Sequence, residues 1–285
     1  MNGSSRADKV LYPDGGFTKA DIADHYRAMA SLMLPHLRDR FLTLHRFPDG
    51  IDAGGFYQQS RSDHFDDSVR GVSAPRAGGE DSVEHIVVDD ERGLLYLADQ
   101  AALAIHGWQS RCDRPDRPDR LVFDLDPPDG DFQPVIDCAR LLREELDDAG
   151  LPPFVMTTGS SGLHVVCPLD RSADFDAARS FAKRVGDAIV ERAPERFTRE
   201  QRRKKRRGRL YIDVGRNAYG QTAIMPYSLR ALPGAPVATP LDWDELGKSG
   251  LGPQSYRLDN IRRRLAQKED PWAGFFDRPN AVPAG

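Results

Sequence analysis

Asp124 and Asp126 stand two positions apart at the end of an apolar run, Leu121-Val122-Phe123-Asp124-Leu125-Asp126-Pro127. Side chains alternate across a β-strand, so both carboxylates point to one face, about 7 Å apart along the chain. Two like charges held that close repel unless a cation lies between them. Hard oxygen donors suit Mg²⁺ or Mn²⁺. A solvated strand end is the alternative for this pair taken alone. A third acid, Asp213, sits by itself in the apolar run Leu210-Tyr211-Ile212-Asp213-Val214. Burying an unpaired carboxylate costs several kcal/mol, so Asp213 needs a cationic partner. Arg216 or Arg230 could serve; so could the same metals, if the two runs are neighbouring strands. Three aspartates on two strands make the pattern that two-metal phosphoryl transfer requires. Between the runs lies Thr157-Thr158-Gly159-Ser160-Ser161-Gly162-Leu163-His164. Its small residues and exposed N–H groups suit close approach of a phosphate, with an ordinary hairpin as the plainer reading.

The elements that must position these groups are mixed. A helix is expected after Thr18, with Asp21 completing a capping box and Ile22, Tyr26, Met29 and Met33 on its apolar stripe. A second is expected over Gln133 to Asp148, ended by Gly150, and a third from about Asp174. Short runs rich in β-formers read as strands: FLTLHRF, GLLYLA, RLVFDLD, PFVMTTG, LHVVCPL, RLYIDVG and AIMPYSL. The prolines of RCDRPDRPDR read as a stiff connection. With no strict βαβ repeat, the expected fold class is α+β, built on central antiparallel or mixed sheets flanked by helices. We expect a single domain over residues 9–272, an N-terminal tail over 1–8 and a C-terminal tail over 273–285.

The hydrophobic fraction, 39%, supports a real core and excludes a disordered chain. No apolar run is long enough for a membrane span, and the first residues lack the apolar stretch of a secretory signal, so a soluble, cytoplasmic protein is expected. Three scattered cysteines without CxxC spacing argue against a disulfide framework and a zinc site. The net charge of −4 conceals a dense cationic run, Arg202 to Arg209, in an otherwise acidic chain. A polyanion would be drawn to one face and repelled from others.

With these pieces in order, the chain resembles the polymerase domain of bacterial ligase D, of the archaeo-eukaryotic primase superfamily, which acts in non-homologous DNA end joining. The resemblance is carried by Asp8-Lys9-Val10-Leu11-Tyr12-Pro13, Leu42 to Gly50, Gly55-Phe56-Tyr57-Gln58, Leu121 to Pro127, Gly159 to Pro168, Tyr211 to Asp213 and Pro226 to Ala231. It implies a template-dependent DNA/RNA polymerase with Asp124, Asp126 and Asp213 as ligands of two Mn²⁺ or Mg²⁺ ions. His106, Ser160, Ser161, His164 and Arg230 would contact the incoming NTP or dNTP, with Arg230 clamping its triphosphate. Lys9 and Lys19 would hold the 5′-phosphate of a gapped or broken DNA end, beside Arg46. Phe56 and Tyr57 would stack on bases near the break. Arg206 and Arg207 belong to the basic run, which would approach the template or primer strand. The implied partners are DNA ends, the end-binding protein Ku and a separate ligase, since no Lys-x-Asp-Gly adenylation motif is present.

The chain departs from the family pattern at His45, where lysine is common, at Ser161, also commonly lysine, at Gln59, and at Arg6, near the place of an asparagine. Two rivals stand beside this reading. A haloacid dehalogenase-type phosphohydrolase would share Phe-Asp-Leu-Asp but leaves Asp213 without a task. A non-catalytic DNA-end-binding module would use Lys9, Lys19, Phe56 and the basic run alone.

Overall fold

Thr18 starts the first helix as its spacing predicts. Its hydroxyl accepts from the Asp21 N–H, and the Asp21 carboxylate accepts from the Thr18 N–H at 2.7 Å, opening the helix Lys19–Leu37. The computed structural model describes residues 7–75, 79, 81–128 and 130–283. Residues 1–6 of the expected N-terminal tail lie outside the described residues. The helices Gln133–Asp148 and Phe175–Arg192 also form where expected, the latter capped by Asp174. Gly150 adopts the left-handed φ of 75° that ends the former.

Two six-stranded sheets form the centre. The first runs in the order Phe197–Thr198, Leu210–Asp213, Arg120–Asp126, Leu163–Pro168, Phe154–Thr157 and Pro240–Leu241. All its neighbours are antiparallel except the first pair. The second runs Thr222–Ile224, Ala102–Trp108, Leu42–Arg46, Ser82–Val87 and Arg70–Pro75, with Phe56–Gln58 also paired to Leu42–Arg46.

Alternation decides what each sheet face meets. Leu121, Phe123 and Leu125 pack with Val135, Leu142, Phe181 and Ile189 of the two later helices. Leu42, Leu44, Leu103 and Ile105 pack with the first helix and with Leu94 and Leu97. The opposite faces meet each other through Val122, Val166, Met156, Ala104, Ala223 and Ile224. The result is four layers, helix–sheet–sheet–helix, and Asp124 and Asp126 continue the face of Val122 into the space between the sheets.

Several expectations need correction. GLLYLA is no strand; it lies in the helix Glu91–Asp99. The Asp90 carboxylate accepts from the Gly93 N–H at 2.9 Å, and Leu94, Leu97 and Ala98 then bury one helical face. The Pro-rich connection forms a two-stranded ribbon, Ser110–Arg111 with Arg114–Pro118, where a missing proline N–H disturbs no larger sheet. Of AIMPYSL only Ala223 and Ile224 are strand, the end of Thr222–Ile224, because Pro226 has no N–H to donate and Tyr227 takes a left-handed φ of 62°. Part of the expected C-terminal tail is packed, and its residues 284 and 285 lie outside the described residues. Phe275 is 1% exposed and stacks on Trp272 at 5.0 Å, and both rings join the core between the sheets. Among the described residues no helix is long and apolar enough to cross a membrane.

Candidate active site

The register of the first sheet brings the acids together. Asp124 lies directly opposite Asp213 on one side and His164 on the other, and Asp126 lies opposite Tyr211. Directly opposed residues share a sheet face, so all three carboxylates and His164 share the face that looks towards the second sheet. From that second sheet, His106 and Tyr57 face them across a cleft of about 410 Å³. The cleft is also lined by Thr158, Ser160, Arg216, Thr222 and Arg230.

Asp124 is buried, with Arg216 Nε 3.2 Å from one oxygen and His164 Nε2 3.4 Å from the other. Burial alone would raise its pKa, but His164 and then Arg216 overcome it and hold the carboxyl at about 2. Asp126 has less relief, from Arg206 and Arg216 at longer range. Burial, and after it the charges of Asp124 and Asp213, push it up to about 6. Asp213 Oδ1 accepts from the Gly215 N–H at 2.7 Å and from the Tyr211 hydroxyl at 3.2 Å. Burial, reinforced by Arg230 and Arg216, pulls His106 down to about 3, so the ring is neutral at physiological pH.

This donor set fits divalent metal. It is all hard oxygen, and the raised pKa of Asp126 marks a carboxylate short of positive charge. Among the described residues no three His, Cys, Asp or Glu side chains are gathered into a finished cage. As placed, Asp124 is engaged by Arg216 and His164, and Asp213 by Gly215 and Tyr211.

The Gly-Ser segment is a tight hairpin tied by Thr158, whose Oγ1 accepts from the Ser160 and Gly162 N–H groups at 3.3 and 3.2 Å. Two glycines are required here. Gly159 has a φ of 69°, and a Cβ there would stand 2.8 Å from Arg230 Cγ. At Gly162 a Cβ would fall 1.8 Å from the Leu125 carbonyl oxygen, so the hairpin can seat on the aspartate strand only without a side chain. Ser160 thereby lines the cleft. Ser161 does not; it is exposed, and Thr158 occupies the lining instead. Arg230 faces the cleft with no acid paired to it among the described residues, and its carbonyl accepts from the Tyr12 hydroxyl at 2.9 Å.

Lys9, Lys19 and Arg46 line a second, larger hollow of about 1020 Å³, with Asp8, Asp99, Tyr96 and Gln100 in its walls. Both lysines already hold acids: Lys9 with Asp49 at 2.7 Å and Lys19 with Asp99 at 3.0 Å. The strand Phe56–Gln58 relates the two hollows and corrects the expectation of an aromatic pair. Successive residues face opposite sides. Tyr57 stacks on His45 at 4.0 Å and lines the catalytic cleft. Phe56 instead lies 5.4 Å from the Arg46 guanidinium, on the lysine side. Within the basic run, Arg206 folds back with its guanidinium 3.9 Å from the Tyr211 ring, whereas Arg207 is exposed.

A family profile described as "LigD, primase-polymerase domain" matches residues 18–272. The chain belongs to the LigD primase-polymerase family. It is 35% identical over 276 residues to the multifunctional non-homologous end joining DNA repair protein LigD of Mycobacterium tuberculosis, covering 93% of this chain and 36% of that protein. It is 32% identical over 279 residues to the bifunctional LigD of Bacillus subtilis, covering 97% and 44%. The chain thus spans well under half the length of these relatives. A solved structure, the polymerase domain from Mycobacterium tuberculosis ligase D in complex with DNA, matches with a TM-score of 0.88 at 32% identity. That match covers 96% of this chain and 97% of the other. The α+β primase-polymerase fold and the nucleotidyltransferase class follow, and the dehalogenase alternative falls. Thr158 and His45 are residues at the site to which the sequence assigned no role there, and Arg216 was assigned a different one. An arginine three positions after an isolated acid was the available signal, but only as a partner for Asp213, whereas the structure pairs it with Asp124.

Proposed function

We propose that this LigD-type domain extends primer strands at DNA ends and gaps in a template-dependent way. The register that sets Asp213 opposite Asp124, with Asp126 on the same face and Arg230 lining the same cleft, carries the reading. Asp124, Asp126 and Asp213 would hold two Mn²⁺ or Mg²⁺ ions, which when bound supply charge neutralisation and lower the pKa of a coordinated hydroxyl. Arg230 and the Ser160 hydroxyl present donors for the triphosphate of an NTP or dNTP, and Thr158 ties the hairpin that carries Ser160. His106, neutral, and Tyr57 close the cleft from the opposite sheet, and His164 fixes the Asp124 carboxylate. In the reaction the primer 3′-oxygen bonds to the α-phosphorus, its proton leaves, and the bond to pyrophosphate breaks.

The hollow of Lys9, Lys19 and Arg46 suits the 5′-phosphate of the downstream strand, with Phe56 against the Arg46 guanidinium. Arg206 and Arg207 lie on the loop that would meet the template. Ku and a separate ligase are the partners this reading calls for, with bacterial chromosomal DNA in the cytoplasm as the substrate.

The test is extension of a gapped, 5′-phosphorylated duplex with Mn²⁺ and a labelled nucleotide. Asp124→Ala and Asp213→Ala should each abolish extension while DNA binding survives. Templated extension that persists in both variants refutes the metal assignment. If Asp126→Ala leaves every activity of the protein unchanged, a non-catalytic end-binding module is the better description.

A further inference from the structure

A third hollow, of about 390 Å³, lies apart from both clefts, between the turn Trp243–Gly247 and the helix Ile261–Leu265. Its walls carry Lys248, Arg263, Arg264 and Lys268 against a single acid, Glu245. Glu245 is 1% exposed and is already shared: Lys248 at 2.9 Å, Arg264 at 2.7 Å and Lys268 at 3.3 Å. One carboxylate therefore serves three cations, Asp242 helps only Lys268, and Arg263 adds its charge from an exposed position. Arg264 is 9% exposed and held rigidly, its Nη2 donating to Glu245 and to the Pro240 carbonyl oxygen and its guanidinium 4.6 Å from the Tyr256 ring. Its Nε and Nη1 have no hydrogen-bond acceptor among the described residues. A concave surface with surplus, partly immobilised guanidinium charge is built for phosphate rather than for a neutral or cationic ligand.

The surroundings favour a strand over a small anion. From Gln254 to Lys268 the chain carries five cations and one acid, in a protein whose net charge is −4. Arg257, Arg262 and Arg263 are exposed, extending the positive surface beyond the hollow's rim, farther than one phosphate group reaches. The segment is also fastened to the catalytic hairpin. Tyr256 lines the hollow, and Gln254, two residues earlier, donates to the Ser160 carbonyl oxygen at 2.9 Å.

We propose that this hollow is a second phosphate-binding site, which holds the phosphodiester backbone of a nucleic-acid strand running past the nucleotide hairpin. The proposal rests on the reading that the domain engages DNA, which the Asp124→Ala extension assay tests separately. The experiment compares the full chain with the double variant Arg262→Ala, Arg263→Ala, and with Gln267→Glu, which sets an acid in the wall from an exposed position. Affinity for a gapped duplex with long flanks is measured against salt. Removing one cation that neutralises a phosphate lowers the slope of log K against log salt by about 0.9. The expected result is five- to tenfold weaker binding near 0.1 M salt and a slope reduced by about 1 to 2 in the double variant. Gln267→Glu should weaken binding in the same direction, and extension at saturating DNA should be unchanged. A parallel calorimetric titration with inorganic tripolyphosphate, in EDTA, separates the sources of phosphate. If the variants lose tripolyphosphate binding while the DNA slope stays, the hollow takes a free anion and the strand assignment is overturned. If neither changes, the hollow is a solvated groove and the proposal fails.

Discussion

Asp126→Asn should make the metal-free protein more stable and the enzyme inactive. Asp126 is pushed from 3.8 to about 6 by burial and by two neighbouring carboxylates. Because the folded-state value lies above the unfolded one, this side chain is no burden below pH 3.8. It becomes a growing burden as pH rises towards 6, and the burden is complete above that. At 1.36 kcal/mol per tenfold change in proton affinity, the full penalty is about 3 kcal/mol, and partial exposure to solvent reduces it to about 1–2 kcal/mol. Asparagine keeps the shape and removes the charge. In EDTA at pH 7.5, with an m-value of about 3 kcal/mol/M, the urea midpoint of the variant should lie about 0.3–0.7 M above that of the parent. At about pH 4.5 the gap should shrink to about a third of that, since the folded carboxyl is then mostly protonated while the unfolded one is still mostly ionised. Saturating Mn²⁺ should reverse the order at pH 7.5: a ligand at about 100 times its Kd stabilises the parent by about 2.7 kcal/mol, while the variant has lost one of its oxygen anions. Equal midpoints at that higher pH in EDTA would refute the repulsion argument. An equal Mn²⁺ effect on both proteins would refute the assignment of Asp126 as a ligand.

Further outcomes follow from the same geometry. Lys9→Ala combined with Lys19→Ala should equalise extension on 5′-phosphate and 5′-hydroxyl gaps; a surviving preference places the end-phosphate elsewhere. Tyr57→Ala should raise the nucleotide KM about tenfold, whereas Phe56→Ala should leave it alone and alter only discrimination between the two ends, because the strand turns these rings to opposite sides, Tyr57 into the catalytic cleft and Phe56 against Arg46. Gly162→Ala should raise the nucleotide KM and lower the Tm together, since a Cβ 1.8 Å from the Leu125 carbonyl oxygen forces the hairpin off the aspartate strand; unchanged kinetics would show that the hairpin does not position the triphosphate. Phe275→Ala should cost about 3–5 kcal/mol in urea unfolding, the scale for a fully buried phenylalanine, and a cost below about 1 kcal/mol would restore the description of this segment as a tail.

The period-two rule made the pairing of Asp124 with Asp126 legible, because both positions lie on one strand. Applied with equal rigour, the same rule separates Phe56 from Tyr57. Family resemblance treated them as a pair, and the resemblance is silent on which cleft each ring enters. Asp213 could be suspected but not placed, since its position opposite Asp124 depends on the register between strands more than 80 residues apart. Local pattern also misled where a short apolar run fits two periods. Gly93-Leu94-Leu95-Tyr96-Leu97-Ala98 alternates poorly, and the Asp90 cap just before it was the stronger signal. Phe275 was unreadable for a different reason: the residues that bury it come from both sheets, and nothing near it in sequence announces them.

The charges show why the site needs this much fold around it. Arg216 and His164 make Asp124 tolerable in a buried place and leave Asp126 with little local compensation, its nearest strong influences being two other acids. A protein that satisfied Asp126 in the same way would be more stable and would offer its ligand less readily to a metal. The helices and the face-to-face sheets supply the burial that makes the unsatisfied carboxylate costly. On this argument the apolar core does more than hold the strands together: by excluding water from one side of Asp126, it makes a divalent cation the most favourable partner that carboxylate can find.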